Sequence, residues 1–437
     1  MFKKSVFTVL ACTSIVSLAM VGCSNTTTKE ADPSPSVSTT AAPAKVETKS
    51  GDKVTLSVLM NVAQPAGQEA YKVVAADFEK ANPTIKVDLQ FPGEYENLLK
   101  VKMAASDLPD VFDTHGWAQI RYGKYLADLK GESWASQLTD TIKDVVTDKQ
   151  GKVYALPISE AKDGISYNVN VLKKYNIEVP KTFDELMAAS EKIKTESKGE
   201  VVPFYFAGAD NWTVGEHFDL FAIPQLISPK DNSASALLDG SFDWSKWTPL
   251  PTKFKEMYDK GYMNKDVVTA KFSDLAKLFA QDKVAFFDGG PSFADDAYKV
   301  NKDVKIGIMP VPSIVAGDTP NFSGGERDTM GIWKDTKHMD EAKKLLAFFA
   351  KPENLAKISN VMKLPAGLKG VTATHEFAVY YEQYKDIRVF PYFDRVYLPN
   401  GMWDVMCTSG LDLITGHITA EKYSQIMKEN VARLSKK

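Results

Sequence analysis

Cysteine and histidine are scarce in this sequence. Its 437 residues include three cysteines, Cys12, Cys23 and Cys407, and five scattered histidines. Because it contains neither a CxxC pair nor an HExxH motif, the ligand spacing of a zinc site is missing, and we expect no metal and no other cofactor. The phosphate-loop GK[ST], the dinucleotide-binding GxGxxG and the hydrolase GxSxG are also absent.

An excess of positive charge is missing too. Lys and Arg number 53 against 56 Asp and Glu, for a net charge of −3. A protein that binds a polyanion would be basic, so we expect no nucleic acid partner. Hydrophobic residues make up 44% and charged residues 25%, which is typical of globular chains and excludes global disorder. The length exceeds one ordinary core and favours two or three domains.

The N-terminus has the plan of an export signal. Lys3 and Lys4 precede the uncharged, mostly apolar stretch 5–22. A transmembrane helix is the alternative interpretation, but the stretch is at the short limit for spanning a bilayer. Gly22-Cys23 resembles a bacterial lipobox, which implies cleavage after residue 22 and a lipid on Cys23 that anchors the chain to the outer face of the cell membrane.

A low-complexity segment follows Cys23. Residues 24–50 are mostly Ser, Thr, Ala and Pro, with no aromatic side chain. Such a segment cannot bury a core, so it is predicted to be a disordered tether. Cys407 then remains as the one thiol of the predicted folded part, and its apolar surroundings predict burial.

From residue 51 onward, strand and helix patterns alternate, which predicts an α/β fold with parallel strands and flanking helices. Thr182 and Glu185 have the spacing of a capping box at the start of one helix. Strands are predicted over 53–59, 85–89, 108–112, 164–168, 201–206, 283–287 and 304–309, and helices over 68–80, 95–105, 273–281, 340–350 and 419–434, with another helix beginning near 182.

An ordered set of segments resembles one family, the extracellular solute-binding proteins of family 1, which are maltose-binding-protein-like sugar receptors of ABC importers. The segments are 108–111, 156–157, 164–175, 179–186, 322–325, 340–350 and 416–421, together with Trp403. The resemblance extends over roughly residues 51–437.

The resemblance implies a two-lobed, type II venus-flytrap fold with mostly parallel sheets, whose lobes close on a ligand by hinge bending. The first lobe is expected to comprise residues 51–158 and 312–370. The second lobe is expected to comprise 162–310 and 371–437. The crossovers are expected near 158–163, 310–313 and 367–372.

Ligands of such sheets bind beyond the carboxyl ends of the strands. The first three strands of the predicted first lobe are followed by polar and aromatic candidates: Asn61, Gln64, Glu94, Tyr95, Asp113, His115 and Trp117. Each has a plainer alternative. Asn61 and Gln64 are equally explained as solvated loop residues, Glu94 as a helix-dipole partner and Trp117 as a core residue.

The remaining candidates follow later strands or correspond to the family's binding positions. Gly290 lets backbone N–H groups approach a ligand, and Arg327 can fork to a ring hydroxyl or a uronate. Trp403 matches the family's stacking aromatic, while Asp394 and Arg395 are equally explained as a local ion pair. The full set is Glu160, Asp163, Asn211, Trp212, Asp288, Gly290, Ser292, Glu326, Arg327, Asp394, Arg395 and Trp403.

This mixture suits carbohydrate, which has hydroxyl edges for polar groups and apolar faces for aromatic rings. We expect a monomeric, lipid-anchored receptor that captures an oligosaccharide and delivers it to an ABC permease. The alternative is an exported hydrolase that uses paired carboxylates. A surface adhesin is a third class, but its expected tandem β-modules are missing.

Overall fold

The computed structural model describes residues 53–436. The predicted leader 1–22, the lipidated Cys23 and the tether 24–50 lie outside the described residues. Those predictions therefore stay predictions. Within the described range no helix is both long and apolar enough to cross a membrane. Cys407 is buried, as predicted from its apolar neighbours.

The described part of the chain alternates strands and helices. The strands are β1 (Val54–Leu59), β2 (Ile85–Gln90), β3 (Val111–Phe112), β4 (Leu156–Pro157), β5 (Glu160–Asp163), β6 (Ile165–Asn168), β7 (Val202–Phe204), β8 (Ile227–Ser228), β9 (Asp231–Asn232), β10 (Val284–Asp288), β11 (Ile306–Met309), β12 (Phe322–Glu326), β13 (Thr329–Ile332) and β14 (Val389–Pro391).

The helices are α1 (Pro65–Ala81), α2 (Tyr95–Ala105), α3 (Asp140–Val146), α4 (Val169–Lys174), α5 (Phe183–Glu196), α6 (Trp212–Leu226), α7 (Ala234–Asp239), α8 (Pro249–Asp259), α9 (Phe272–Ala280), α10 (Ala294–Val300), α11 (Met339–Phe349), α12 (Pro352–Met362), α13 (Ala378–Gln383), α14 (Phe393–Tyr397), α15 (Met402–Ile414) and α16 (Ala420–Leu434).

Local sequence signals explain where several helices begin. At α5 the Thr182 side chain accepts from the Glu185 N–H and the Glu185 carboxylate accepts from the Thr182 N–H, so the predicted capping box is confirmed. Pro352 occupies the first turn of α12, where its missing N–H is not needed. The Thr419 hydroxyl accepts from the Lys422 N–H and caps α16.

Two sheets form the centres of the two lobes. The first sheet has the order β2-β1-β3-β13-β4, and its core joins strand residues such as Val58 and Val111 to Phe78 of α1 and Leu345 of α11. The second sheet has the order β11-β6-β10-β7. Its Phe286 packs in a core with side chains of α5, α6, α8 and α16.

A third sheet, the linking sheet, joins the lobes. Its order is β14-β12-β5, and β5 pairs antiparallel with β12. In the chain, β5 lies between β4 of the first sheet and β6 of the second, while β12 lies between β11 of the second and β13 of the first. The two paired strands therefore carry the chain between the lobes in opposite directions.

The α/β class and the two-lobed fold are confirmed, but both main sheets are mixed rather than mostly parallel. Strand β13 runs antiparallel to β3 and β4, and β6 runs antiparallel to β10 and β11. The linking sheet explains this difference. A strand that enters a lobe from the linking sheet starts at the edge where β1, β3 and β10 end, so it must run the other way.

Contacts around the linking sheet bear on the lobe boundaries. Val311 and Asn321 form a bridge, Ser313 pairs with Thr182, and the Ser228 hydroxyl donates to Asp318, so residues 311–321 stay with the second lobe. We propose that the second crossover is β12, and that the returning first-lobe segment begins near residue 327 rather than 312.

The third connection has contacts on both sides. Leu368 bridges Leu138 of the first lobe, whereas Phe377 packs with Phe279 and Phe287 of the second lobe. We propose that the chain passes between the lobes within residues 369–376, close to the predicted crossover at 367–372.

Candidate ligand-binding cleft

A cavity of about 680 Å³ opens where the strands of both lobes end. Its walls include Gln64, after β1, and His115 and Trp117, after β3. The other side is built from α6, the turn after β10, and the segment from α14 into α15. The volume is within the range of small-molecule sites.

Twelve of the nineteen candidate residues line this cavity: Gln64, His115, Trp117, Asp163, Trp212, Asp288, Gly290, Ser292, Arg327, Asp394, Arg395 and Trp403. Seven do not: Asn61, Glu94, Tyr95, Asp113, Glu160, Asn211 and Glu326. Contact of each residue with a ligand stays a prediction. The structure nevertheless shows what several of the seven do instead.

Asp113 organises the loop beneath the cavity. Its carboxylate accepts hydrogen bonds from the backbone N–H groups of His115 (2.8 Å), Thr329 (3.0 Å) and Asn61 (3.2 Å). The Tyr95 hydroxyl donates to the Asp113 carbonyl. These contacts place the side chains of Asp113 and Tyr95 in the interior, where they hold the ends of β1, β3 and β13 together.

Asp113 also belongs to a group of potential metal ligands. Atoms of Asp113, His115 and Asp328 lie within 4.8 Å of one another, the one such group found among residues 53–436. Burial and the nearby Asp328 raise the pKa of Asp113 to about 8. Burial, with Arg395, Arg327 and Arg121 nearby, lowers the pKa of His115 to about 3. The Asp113 carboxylate already accepts hydrogen bonds from three backbone N–H groups, which favours a structural role over metal binding.

The other four of the seven lie at helix starts or in the linking sheet. Glu94 and Asn211 stand at the N-cap positions of α2 and α6. Glu160 is buried in β5 and accepts from the Thr139 hydroxyl at 3.1 Å. Glu326 is buried in β12, where burial raises its pKa to about 7 although the charge of Arg395 opposes the rise.

Three tryptophans line the cavity in different settings. The Arg121 guanidinium lies over the Trp117 ring, 4.2 Å from the ring centre. Trp212 begins α6, is 37% exposed, and packs edge-on against Phe272, with ring centres 5.0 Å apart. Trp403, in the first turn of α15, lies so close to Gly215 that an added Cβ there would be 3.4 Å from the indole. Because its ring already carries a guanidinium contact, Trp117 is a weaker candidate for stacking a ligand than Trp212 or Trp403.

Asp163 joins the linking sheet to the second lobe. The Tyr392 hydroxyl donates to its carboxylate, and the Arg327 guanidinium lies 4.0 Å away. A Cβ added at Gly290 would come within 3.0 Å of the carboxylate, so glycine leaves the space that Asp163 occupies. Because Arg327 already has a carboxylate partner, it is less available to a uronate than the sequence alone implied.

Asp288 is the last residue of β10, and its carboxylate is positioned by a buried histidine of α6. His217 Nδ1 lies 2.8 Å from Asp288 Oδ2, and both side chains are nearly fully buried. The imidazole packs among Phe206, Phe221 and Phe254. Burial raises the pKa of Asp288, although His217 opposes the rise.

Asp394 and Arg395 connect α14 to both lobes. The Asp394 N–H donates to Asp219 Oδ1 at 2.7 Å. Burial, together with the Asp394 charge, raises the pKa of Asp219 well above its ordinary value. The Arg395 guanidinium lies 4.1 Å from the Tyr392 ring and so close to Gly116 that a Cβ there would collide with it. Gly116, at φ +82°, also adopts a backbone conformation that favours glycine.

The sequence reasoning missed several residues of the cavity wall, above all Glu216, Tyr392 and Arg121. Glu216 follows Trp212 by four positions on α6, so both project from the same face of the helix. The i, i+4 spacing from the predicted Trp212 was therefore the sequence signal that could have identified Glu216 as a cavity residue. Tyr392 and Arg121 carried none. Asp163, the partner of Tyr392, is 229 residues away, and Glu96 and Asn400, the partners of Arg121, are 25 and 279 residues away, beyond the reach of local periodicity.

A two-lobed α/β protein whose lobes are joined by paired strands and share a polar and aromatic cavity belongs to the class of binding proteins that capture a small solute between their lobes. The model of one family, described as bacterial extracellular solute-binding protein, matches residues 63–356. The chain belongs to this family. The predicted family and its extracytoplasmic character are thereby confirmed, and the chain is a binding protein rather than the hydrolase held as an alternative.

Individual relatives agree with the family. The chain is 44% identical over 384 residues to the melibiose/raffinose/stachyose-binding protein MelE of Bacillus subtilis (strain 168), covering 87% of this chain and 90% of that protein. It is similar to a crystal structure of a Bacillus subtilis binding protein in an open conformation, with TM-score 0.84, 44% identity, and coverage of 88% and 98%. A sugar transporter of Bacillus licheniformis in complex with stachyose matches with TM-score 0.79, 46% identity, and coverage of 87% and 100%.

Proposed function

We propose that this protein is the extracytoplasmic receptor of an ABC sugar importer. It captures an oligosaccharide of the melibiose, raffinose and stachyose type in the cavity and delivers it to the permease subunits. Two similar proteins support this ligand class: one is a melibiose/raffinose/stachyose-binding protein, and the other was crystallised in complex with stachyose.

The observation that carries the proposal is the lining of the cavity. It combines the indoles of Trp212 and Trp403 with the carboxyl and guanidinium groups of Asp163, Glu216 and Arg327. An oligosaccharide needs this combination, because the C–H face of each ring packs on an aromatic surface while the hydroxyls bond to polar side chains. The volume of about 680 Å³ leaves room for more than one sugar ring.

A thermal-shift panel of melibiose, raffinose, stachyose, maltotriose and glucose tests the ligand class. A ligand at a hundred times its Kd stabilises the folded protein by about 2.7 kcal/mol through mass action. We expect raffinose and stachyose to raise Tm and glucose to leave it unchanged. Small-angle scattering should show compaction with the same sugars. If no oligosaccharide raises Tm or compacts the protein, or if a bound sugar is hydrolysed, the proposal is wrong.

We propose further that the mature chain is a monomer that begins at Cys23, carries a lipid there, and stands off the membrane on the segment 24–50. The signal-like pattern and Gly22-Cys23 in the sequence support this anchor. Growth with a labelled fatty acid should label the protein, and Cys23→Ala should abolish the label and release the protein from the membrane fraction. A Cys23→Ala protein that stays labelled would contradict the lipid anchor, and a dimer in light scattering would contradict the monomer.

A further inference from the structure

Most carboxyl groups of the cavity already have protein partners. Glu96 accepts from Arg121, Asp163 from Tyr392, and Asp288 is held by His217. Asp295 pairs with Lys363, and Asp394 is linked to Asp219. Among the cavity residues that the structure describes, this leaves two carboxyl groups, Glu216 and Asp404, without a hydrogen bond or an ion pair.

These two differ in position. Asp404 is exposed on α15, whereas Glu216 is half-buried on α6. Glu216 lies one turn after Trp212 on the same helix face. The half-buried carboxyl and the exposed indole beside it thus present an acceptor and an apolar surface side by side.

The turn after β10 completes the surroundings of Glu216. Gly289 has φ +103°, and a Cβ added there would lie 3.9 Å from Glu216 Oε1. The neighbouring Gly290 approaches Asp163 in the same way. The glycine pair therefore brings backbone beside both carboxyl groups without side chains that would fill the space a ligand needs.

We propose that Trp212 and Glu216 form one sugar subsite, in which a pyranose face stacks on the indole and hydroxyls of the same ring bond to the Glu216 carboxyl. This inference rests on the proposed function and assigns a specificity-determining residue to it. The arrangement matches the geometry of a pyranose, whose axial C–H face and equatorial hydroxyl edge are adjacent.

The charges around Glu216 give the subsite a pH signature. Burial, then Asp163 and Asp288, raise the pKa of Glu216 to about 8, so at pH 7 the carboxyl is mostly protonated and can both donate and accept. Closure on a ligand removes further water and favours the neutral form, so affinity should fall as pH rises through about 8. The titratable groups that interact electrostatically with Glu216 are Asp163, Asp219, Asp288, Arg327, Tyr392, Arg395 and Cys407.

Calorimetric titration of the full extracytoplasmic chain with raffinose at pH 6 to 9 tests the subsite. Glu216→Leu should weaken binding by about tenfold or more at pH 7, since the ring hydroxyls lose their partner. Glu216→Gln keeps a donor and an acceptor, so it should stay within about threefold of wild type at pH 7 and lose the decline above pH 8. Glu353→Gln, at an exposed carboxyl on α12 outside the cavity, should change affinity by less than about twofold.

A double-mutant cycle tests whether the two residues serve one ring. The double variant Trp212→Ala/Glu216→Leu should lose less affinity than the product of the two single-variant losses. Either change alone already disorders the sugar ring that both residues bind. Unchanged raffinose affinity in a folded Glu216→Leu protein overturns the subsite. An equal loss of affinity in Glu353→Gln, or a pH profile that Glu216→Gln leaves unaltered, overturns it as well. Failure of the wild-type protein to bind any of melibiose, raffinose, stachyose and maltotriose overturns the proposed function instead.

Discussion

The Arg121 guanidinium lies 4.2 Å from the centre of the Trp117 ring and covers one face of it. Arg121 is itself fixed, since Nη1 donates to Glu96 Oε2 at 2.6 Å and Nη2 donates to Asn400 Oδ1 at 3.2 Å. Arg395 lies 5.7 Å from the same ring. Trp117 therefore serves as a platform for guanidinium groups, and we expect a sugar to stack on Trp212 and Trp403 instead.

The tryptophans should differ in their effect on affinity. Trp403→Ala should weaken raffinose binding by about tenfold, because an aromatic contact and its buried area are lost. Trp117→Ala should cost less than about threefold, because its face is already occupied by Arg121. Calorimetry on the folded variants measures both. A larger loss in Trp117→Ala than in Trp403→Ala would contradict the assignment of the stacking surface.

The linking sheet should depend on one glycine. A Cβ at Gly324 would lie 1.9 Å from the Ala161 carbonyl oxygen on the paired strand, so Gly324→Ala must separate β5 from β12. We expect a loss of about 2 kcal/mol or more in the free energy of unfolding by urea. The control is Gly93→Ala, where nothing lies within 4 Å of the added Cβ and the change should stay within about 0.5 kcal/mol. Equal stability of the two variants would show that the strands do not pair this closely.

Glu326 should make stability depend on pH. Its folded pKa of about 7 lies above the ordinary value of about 4.3, so as pH rises the unfolded chain ionises first and stability falls between about pH 4.5 and 7. Glu326→Gln removes this effect. The free energy of unfolding of the variant should therefore rise relative to that of the wild type as pH rises, by at most about 3 kcal/mol at pH 7. Urea unfolding at several pH values gives the difference. A difference that does not change with pH would mean that Glu326 ionises normally.

The capping box at α5 should contribute measurably to stability. Thr182→Ala removes the acceptor for the Glu185 N–H and should cost about 1 kcal/mol. Thr195→Ala, an exposed change in the last turn of the same helix, should stay within about 0.5 kcal/mol. The comparison is made by thermal unfolding, and a smaller loss in Thr182→Ala than in Thr195→Ala would contradict the cap.

Local signals predicted much of the fold. The periodicity over 95–105 matches α2 (Tyr95–Ala105), and the pattern over 85–89 matches β2 (Ile85–Gln90). These elements follow rules of spacing and capping that operate within a few residues. The direction of β6 and β13 did not follow, because it depends on where the chain crosses between the lobes, which local periodicity does not encode.

The residues of the candidate site likewise fall into those that local signals predicted and those whose orientation depends on distant contacts. Gly290 and Trp212 were found because they follow predicted strands, and strand ends meet in α/β folds. Asp113 was placed at the correct strand end, but the structure turns its carboxylate inward to the N–H groups of His115 and Thr329. Side-chain direction at a strand end is decided by the donors that surround it, and here one of them comes from a strand more than two hundred residues away.

The sequence by itself indicated the family and the two-lobed fold through its resemblance to solute-binding proteins. It also predicted the α/β class and the positions of many helices and strands, because these depend on local patterns. Only the tertiary structure decided which carboxyl groups of the cavity are already partnered, and so which half-buried one is available to a ligand. Glu216 is left without a partner while Tyr392 occupies Asp163 and His217 occupies Asp288. That distinction depends on contacts between distant segments, and these exist only once the lobes have folded.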